Sequence, residues 1–341
     1  MINSSNNEHN QIVTVSLLII AMICVSFAFY YTRSVLVPFV LALFIRFLIS
    51  PIVDIQINKF RIHRIVAIPV AIIIVILFFI IFIPPLYNSL RDFLEGASDY
   101  QDKVIILVDF ILNWVQKKFN LDIDIAKIEE LLINLPFLEW SSELLSHTVH
   151  FVESVFIIFV IFLFLLIGEK NKEKTLTWNK IDISVKKYIS TKFLIAFSTA
   201  ILFGTTYWYL ELELAIIFAS LTFFLTFIPI FGAIIAVLLP IPVAFIQYDS
   251  LTPIMLVILI PSVVKVIIGD FIEPKLLGST LDLNPVTIVM ALIFWGMLWG
   301  IVGVFLAAPL TAIIKISFEQ FEITKPFARI LAGKIHHKIN F

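Results

Sequence analysis

The chain alternates long apolar runs with short polar intervals. The runs cover residues 12–32, 35–57, 65–86, 149–167, 193–210, 214–246, 253–267 and 286–314. About 20 consecutive apolar residues, wound as a helix, cross the roughly 30 Å hydrocarbon core of a bilayer. The pattern therefore predicts an all-α, polytopic integral membrane protein of about eight transmembrane helices. One polar interval is long. Residues 87–148 place Leu90, Phe93, Leu94, Ala97, Val104, Leu107, Val108, Ile111 and Trp114 mostly at i, i+3, i+4 spacing, which predicts a helical insertion. Within it, 121–126 alternates polar and apolar and reads as a short strand or a loop.

The C-terminal half is more broken. Residues 214–246 are too many for one simple span, and Pro229, Gly232, Pro240 and Pro242 punctuate them. The segment F-I-P-I-F-G at 227–232 fits a kinked helix, a re-entrant hairpin or a turn between two spans, and the count of eight takes it as bent. A second interruption, I-G-D-F-I-E-P-K-L-L-G-S-T-L-D-L-N-P, fills 268–285 between two apolar runs. It combines Asp270, Glu273, Lys275 and Asp282 with Gly269, Pro274, Gly278 and Pro285. Ionisable groups at bilayer depth are costly and face a cavity or a partner, and irregular backbone there is buried in protein or lines water. The 268–285 stretch is therefore the expected working part. On a helix, Asp270 and Glu273 share a face. With Lys265 and Lys275 nearby they read either as an ion or proton site or as a neutralised packing cluster. Asn284 and Pro285 form an N-cap and first-turn pair opening the last long helix. Within that helix Gly296, Gly300 and Gly303 permit close helix packing, inside the chain or between copies.

Charge sets the topology. The 59–64 loop, K-F-R-I-H-R, and the 169–192 loop, with seven lysines, are basic and read as cytoplasmic. Both termini are then cytoplasmic and the 87–148 insertion extracytoplasmic. Arg46, inside the second run, reads as a snorkelling or paired residue. The expected organisation is a three-span region at 1–86, the insertion at 87–148, a transport region at 149–315 and a cytoplasmic tail at 316–341. Tyr207, Trp208 and Tyr209 form an interfacial belt. The N-terminus lacks the basic region of a secretory signal, so the first run reads as a mature helix.

Composition narrows the function. The 341 residues are 60% hydrophobic and 14% charged, with mean hydropathy +1.05, whereas a soluble domain is about a quarter charged. A net charge of −1 offers no field for nucleic acid. Cys24 is the single cysteine; it has no partner for an internal disulfide and reads as a small packed hydrophobe rather than a reactive thiol. His147 and His150 lie near Glu143 and Glu153 and read as a polar interfacial face rather than a metal pair; His336 and His337 read as an exposed pair. No P-loop, H-E-x-x-H or G-x-S-x-G motif occurs, so no cofactor, metal or catalytic residue is assigned.

Three segments carry a resemblance. They are F-I-P-I-F-G at 227–232, the 268–285 stretch, and F-W-G-M-L-W-G-I-V-G-V-F-L-A-A-P-L-T at 294–311. In order and spacing they resemble the autoinducer-2 exporter family, the PerM-like membrane proteins of bacteria, and the likeness covers nearly the whole chain. It implies a multi-span exporter of the bacterial inner membrane, oligomeric, moving a small solute such as autoinducer-2; other members are similar to sodium or lithium/proton antiporters. Asp270 stands where the family often has Asn, which adds a titratable group, and Ser190, Thr191 and Ser198 stand where small glycines are common. The expected transport residues are Asp270, Glu273, Lys265 and Lys275. The expected bend or pore elements are Pro229, Gly232, Gly269, Pro274, Gly278, Asn284 and Pro285. The expected partners are the lipid bilayer, a small solute, Na⁺ or H⁺, and further copies of the chain. A membrane scaffold acting through 87–148 is the alternative from another class, and an intramembrane enzyme a third.

Overall fold

The computed structural model describes residues 2–95, 116–118, 155–166, 176–278, 281–322 and 324–334. Most of the insertion, the two histidine pairs and most of the 169–192 loop's first half lie outside these residues. Among the described residues the protein is all-α. Helices α1 (Ile2–Tyr31), α2 (Arg33–Asn58), α3 (Arg64–Glu95), α4 (Val155–Leu166) and α5 (Leu176–Tyr209) come first. Next are three short helices, α6 (Ala215–Thr226), α7 (Phe231–Leu238) and α8 (Ile241–Gln247). Then α9 (Leu251–Lys265) continues through a π-helical stretch, Val266–Ile272, into α10 (Glu273–Leu277). Helices α11 (Pro285–Phe318) and α12 (Lys325–Leu331) close the chain.

By length and composition, Arg33–Asn58, Ile181–Tyr209, Leu251–Leu277 and Pro285–Phe318 are long and apolar enough to cross a membrane. Buried and half-buried hydroxyls along the apolar helices turn inward. Thr199, Ser220, Thr222, Thr226 and Ser262 each donate to the carbonyl four residues earlier. That spares each hydroxyl an unpaired place among apolar side chains.

The chain divides into two compact units, Met1–Phe47 with Ser154–Lys186 and Leu281–Phe341, and Leu48–Glu153 with Lys187–Thr280. The second unit holds the answer to the 214–246 run. Helix α6 has 12 residues, about 18 Å of helix, which falls short of a bilayer core. The chain then reverses. Ile230 takes φ 67°, and α6 and α7 pack together. They approach so closely that a Cβ on Gly232 would lie 1.7 Å from the Leu225 carbonyl oxygen. The two ends of the excursion are tied together. The Gln247 side chain donates to Glu211 O at 2.7 Å and accepts from Glu213 N at 2.8 Å, and Tyr248 Oη donates to Leu210 O at 2.7 Å. Residues 210–248 therefore form a hairpin whose two ends meet. Its core joins Phe203, Tyr207, Phe218, Ala236, Ala244 and Val257.

The first unit contains a second reversal, where the sequence suggests one continuous helix. Within α11, Gly300 adopts φ 63° and ψ −144°, a region open essentially only to glycine. The arms 285–299 and 301–318 fold back on each other. A Cβ on Gly303 would lie 1.9 Å from Trp295 O, and one on Gly296 would lie 2.9 Å from a Val304 methyl. Trp295 Nε1 donates to Thr311 Oγ1 at 3.1 Å, although residues 16 apart on a straight helix stand about 24 Å apart. Gly300 thus turns the chain, while Gly296 and Gly303 let its two arms touch. The last turn of α1 docks here: Trp299 Nε1 donates to Phe29 O at 3.1 Å, and the Phe29 ring stacks on Trp295. Arg46 in α2 lies over the Phe47 ring.

Candidate functional site

The segment from α9 to α10 starts as an ordinary apolar helix and widens at Val266. A π-helix closes its hydrogen bonds between residues five apart, so it aligns side chains at that spacing. Lys265 and Asp270 use this: Lys265 Nζ meets both Asp270 oxygens, at 3.0 and 2.9 Å. Half of the Asp270 side chain stays exposed. The π-helix carries Gly269, whose missing side chain faces open space. It returns to α-helix at Glu273, with Pro274 in the first turn, and ends at Gly278 with φ 52°.

Glu273 takes a different partner. It forms an ion pair with Lys192 of α5, whose side chain is 3% exposed. Lys192 belongs to the stripe that α5 buries, with Tyr188 one turn before it and Ile195, Ala196 and Thr199 after it. Tyr188 is buried within electrostatic reach of Glu273. The two carboxylates that the sequence places on one face are therefore separated in role. Asp270 pairs along its own helix at an exposed position, and Glu273 pairs across to a buried cation. Lys265 balances Asp270, while Lys275 is exposed on α10 and takes part in neither pair.

The rest of the 268–285 stretch belongs to the other unit. Asp282, at φ 48°, accepts from Lys315 Nζ at 2.9 Å and Lys334 Nζ at 2.7 Å. Burial pulls its carboxyl upward, and the hydrogen bonds from Lys334 and Lys315 outweigh that, holding it below the ordinary carboxylate value. Lys315 is buried and also meets Glu319 at 2.8 Å. Asn284 caps α11 by accepting from Val286 N at 2.9 Å, and its own N–H donates to Leu331 O at 3.0 Å. The expected bend residues thus divide by element. Pro229 and Gly232 form the first reversal, Gly269, Pro274 and Gly278 the broken α9–α10 segment, and Asn284 and Pro285 the start of the second hairpin.

Sequence reasoning missed Lys192 and Tyr188. Lys192 sits at the edge of a lysine-rich loop and reads there as one more topogenic charge. The signal that finds it is its i+4 spacing from Tyr188, on a face that continues through Ile195, Ala196 and Thr199.

Residues 17–323 match the family described as AI-2E family transporter. The chain belongs to that family. It is accordingly an integral membrane transport protein, and the sequence resemblance is shown. Among its relatives, "AI-2 transport protein TqsA" of Escherichia coli (strain K12) is 23% identical over 321 residues, 91% of each chain. A Haemophilus influenzae protein named "Putative transport protein" is 24% identical over 343 residues, covering 95% of this chain and 97% of the relative. A Borreliella burgdorferi protein of the same name is 32% identical over 154 residues, 45% of this chain and 42% of the relative. These are names of transport proteins rather than of enzymes.

Proposed function

We propose that this family member is a secondary transporter of the bacterial inner membrane that exports a small hydrophilic solute, with both termini in the cytoplasm. The observation that carries the reading is the Lys192–Glu273 pair. A buried ion pair among apolar helices is weak as a source of stability, and polar pairs inside membrane bundles mark substrate and ion pathways. Its acidic partner stands where a π-helix gives way to a five-residue α-helix, and π-helical breaks recur at functional sites. Autoinducer-2 is the solute suggested by the name of the E. coli relative. The path runs along the 227–232 and 268–278 elements, with Asp270 and Glu273 handling charge.

Na⁺(Li⁺)/H⁺ antiport is the second reading. It is favoured by Asp270, a half-exposed carboxylate held by Lys265 alone among the described residues. Everted vesicles separate the two. Solute export should fall in Glu273→Gln, and cation/proton exchange should fall in Asp270→Asn if antiport is the activity. Unchanged export and unchanged exchange in both variants would overturn the assignment. A scaffold role rests on 87–148 and predicts that deleting that segment abolishes partner pull-down while no flux is ever measured.

A further inference from the structure

We propose that Lys192 is an anion-binding site and that Glu273 is its internal occupant, displaced by a solute that carries one negative group. The inference rests on the transporter reading and names the chemical class of the cargo.

The two members of the pair are mounted differently. Lys192 lies in the middle of α5, a helix of 34 residues, and its neighbours on the same face are buried: Tyr188, Ile189, Ile195 and Ala196. Glu273 opens a helix of five residues. That helix lies between a seven-residue π-helix and a glycine at positive φ, and Phe271, Pro274 and Leu276 around it are exposed. The cation is fixed in the bundle, and the carboxylate is carried on a short, lightly packed element. An ammonium group has three donors. Among the described residues Lys192 directs them at one acceptor, Glu273, so the buried cation has capacity for more oxygen than its partner supplies.

Energetics constrain any shift of the α10 segment. A buried ammonium stripped of its carboxylate is left uncompensated, which is strongly destabilising. Departure of Glu273 is therefore linked to arrival of another anion. A solute carboxylate, or an oxyanion of similar size, supplies the same charge, and the Tyr188 side chain one turn away flanks the place it takes. A neutral polyol offers oxygens but no charge. A sodium ion is repelled by Lys192 and competes for Glu273 only after the pair has opened.

The experiment uses purified full-length protein and matched probes, three- to six-carbon aldonates against the corresponding alditols. Thermal stabilisation is measured in detergent and counterflow in proteoliposomes. The wild type should be stabilised by, and exchange, an aldonate and not its alditol. In the double variant Lys192→Met, Glu273→Gln both charges are gone, so folding is preserved; aldonate preference should fall about tenfold or more, the scale of a lost charge-assisted hydrogen bond. Glu273→Gln alone removes the competitor, so aldonate affinity should rise while turnover falls. The exchanged pair Lys192→Glu, Glu273→Lys rebuilds a purely structural bridge. If it restores aldonate exchange, or if no aldonate stabilises the wild type, the proposal is overturned. If alditols and aldonates are exchanged equally, it is overturned while the transporter reading stands. If a broad solute screen finds no flux at all, the transporter reading fails with it.

Discussion

The glycines of this chain divide by what surrounds them. At Gly232 and Gly303 an added methyl meets a backbone carbonyl at 1.7 and 1.9 Å. The carbonyl belongs to the opposing arm of a hairpin and cannot swing aside like a side chain. Each Gly→Ala substitution should therefore destabilise the protein by about 1–3 kcal/mol, the usual cost of overpacking. Gly269 has open space around its missing side chain, so Gly269→Ala should be neutral or slightly stabilising, since alanine has the better helix propensity. Thermal unfolding in detergent should rank the three, with Gly269→Ala the outlier. The Trp295–Thr311 bond makes a related case. Thr311→Val keeps the shape and removes the acceptor of a buried indole N–H, at an expected cost of about 1–2 kcal/mol. Circular dichroism melting checks the loss, and Thr311→Ser should recover most of it. Gly296 and Gly303 are thus used for packing inside the chain.

At the scale of elements, the C-terminal segment straps the start of the second hairpin. Leu331 O accepts from Asn284 N, Lys334 reaches Asp282, and Gly333, at φ 73°, leaves room for the Asn284 side chain where a Cβ would lie 2.3 Å from its nitrogen. Asp282 is the titratable centre of this strap. Its folded value lies below the ordinary aspartate value of 3.8, so its contribution is complete above that value and is lost as pH falls through the lower, folded one. Protection of the Asn284 amide, relative to its intrinsic exchange rate at each pH, should stay high from neutral pH down to about 4 and fall below it; in Asp282→Asn it should be low throughout. Equal protection in the two proteins at neutral pH would show that the backbone bond alone holds the strap. The runs and their breakers were legible at this scale, because Pro229, Gly232 and Gly278 interrupt an apolar text. The reversal at Gly300 was not. Both arms are equally apolar, and hydropathy records composition but not direction. Glu273 was legible as a charge out of place; its partner was hidden among loop lysines because burial of one face appears only when the helices are assembled.

Across the whole molecule the hairpins change the arithmetic of crossing without changing its parity. Residues 210–213 and 247–248 meet at one end of the first hairpin, and Asp282 and Lys315 meet at one end of the second. Each hairpin thus brings its own two ends together. A re-entrant reading of both hairpins predicts six crossings, by α1, α2, α3, the 149–167 run, α5 and α9 running on through α10, with the basic stretches 59–64 and 169–175 expected on the cytoplasmic side. Cysteine scanning in a Cys24→Ser background tests this arrangement with a membrane-impermeant maleimide. Asp249→Cys, beside the tied ends of the first hairpin, should label from outside in intact cells. Lys334→Cys and Lys59→Cys should label only in everted vesicles. Ile230→Cys is the discriminating position. It sits at the reversal and is half exposed, so in a re-entrant hairpin it should resist the impermeant reagent applied from the cytoplasmic side, or react there far more slowly than Lys59→Cys. In a pair of full spans the same residue is a cytoplasmic loop and should react as fast as Lys59→Cys. Fast labelling of position 230 from the cytoplasm would therefore replace the re-entrant hairpin with two complete crossings, and 214–246 would then cross twice rather than as the single bent span read from hydropathy.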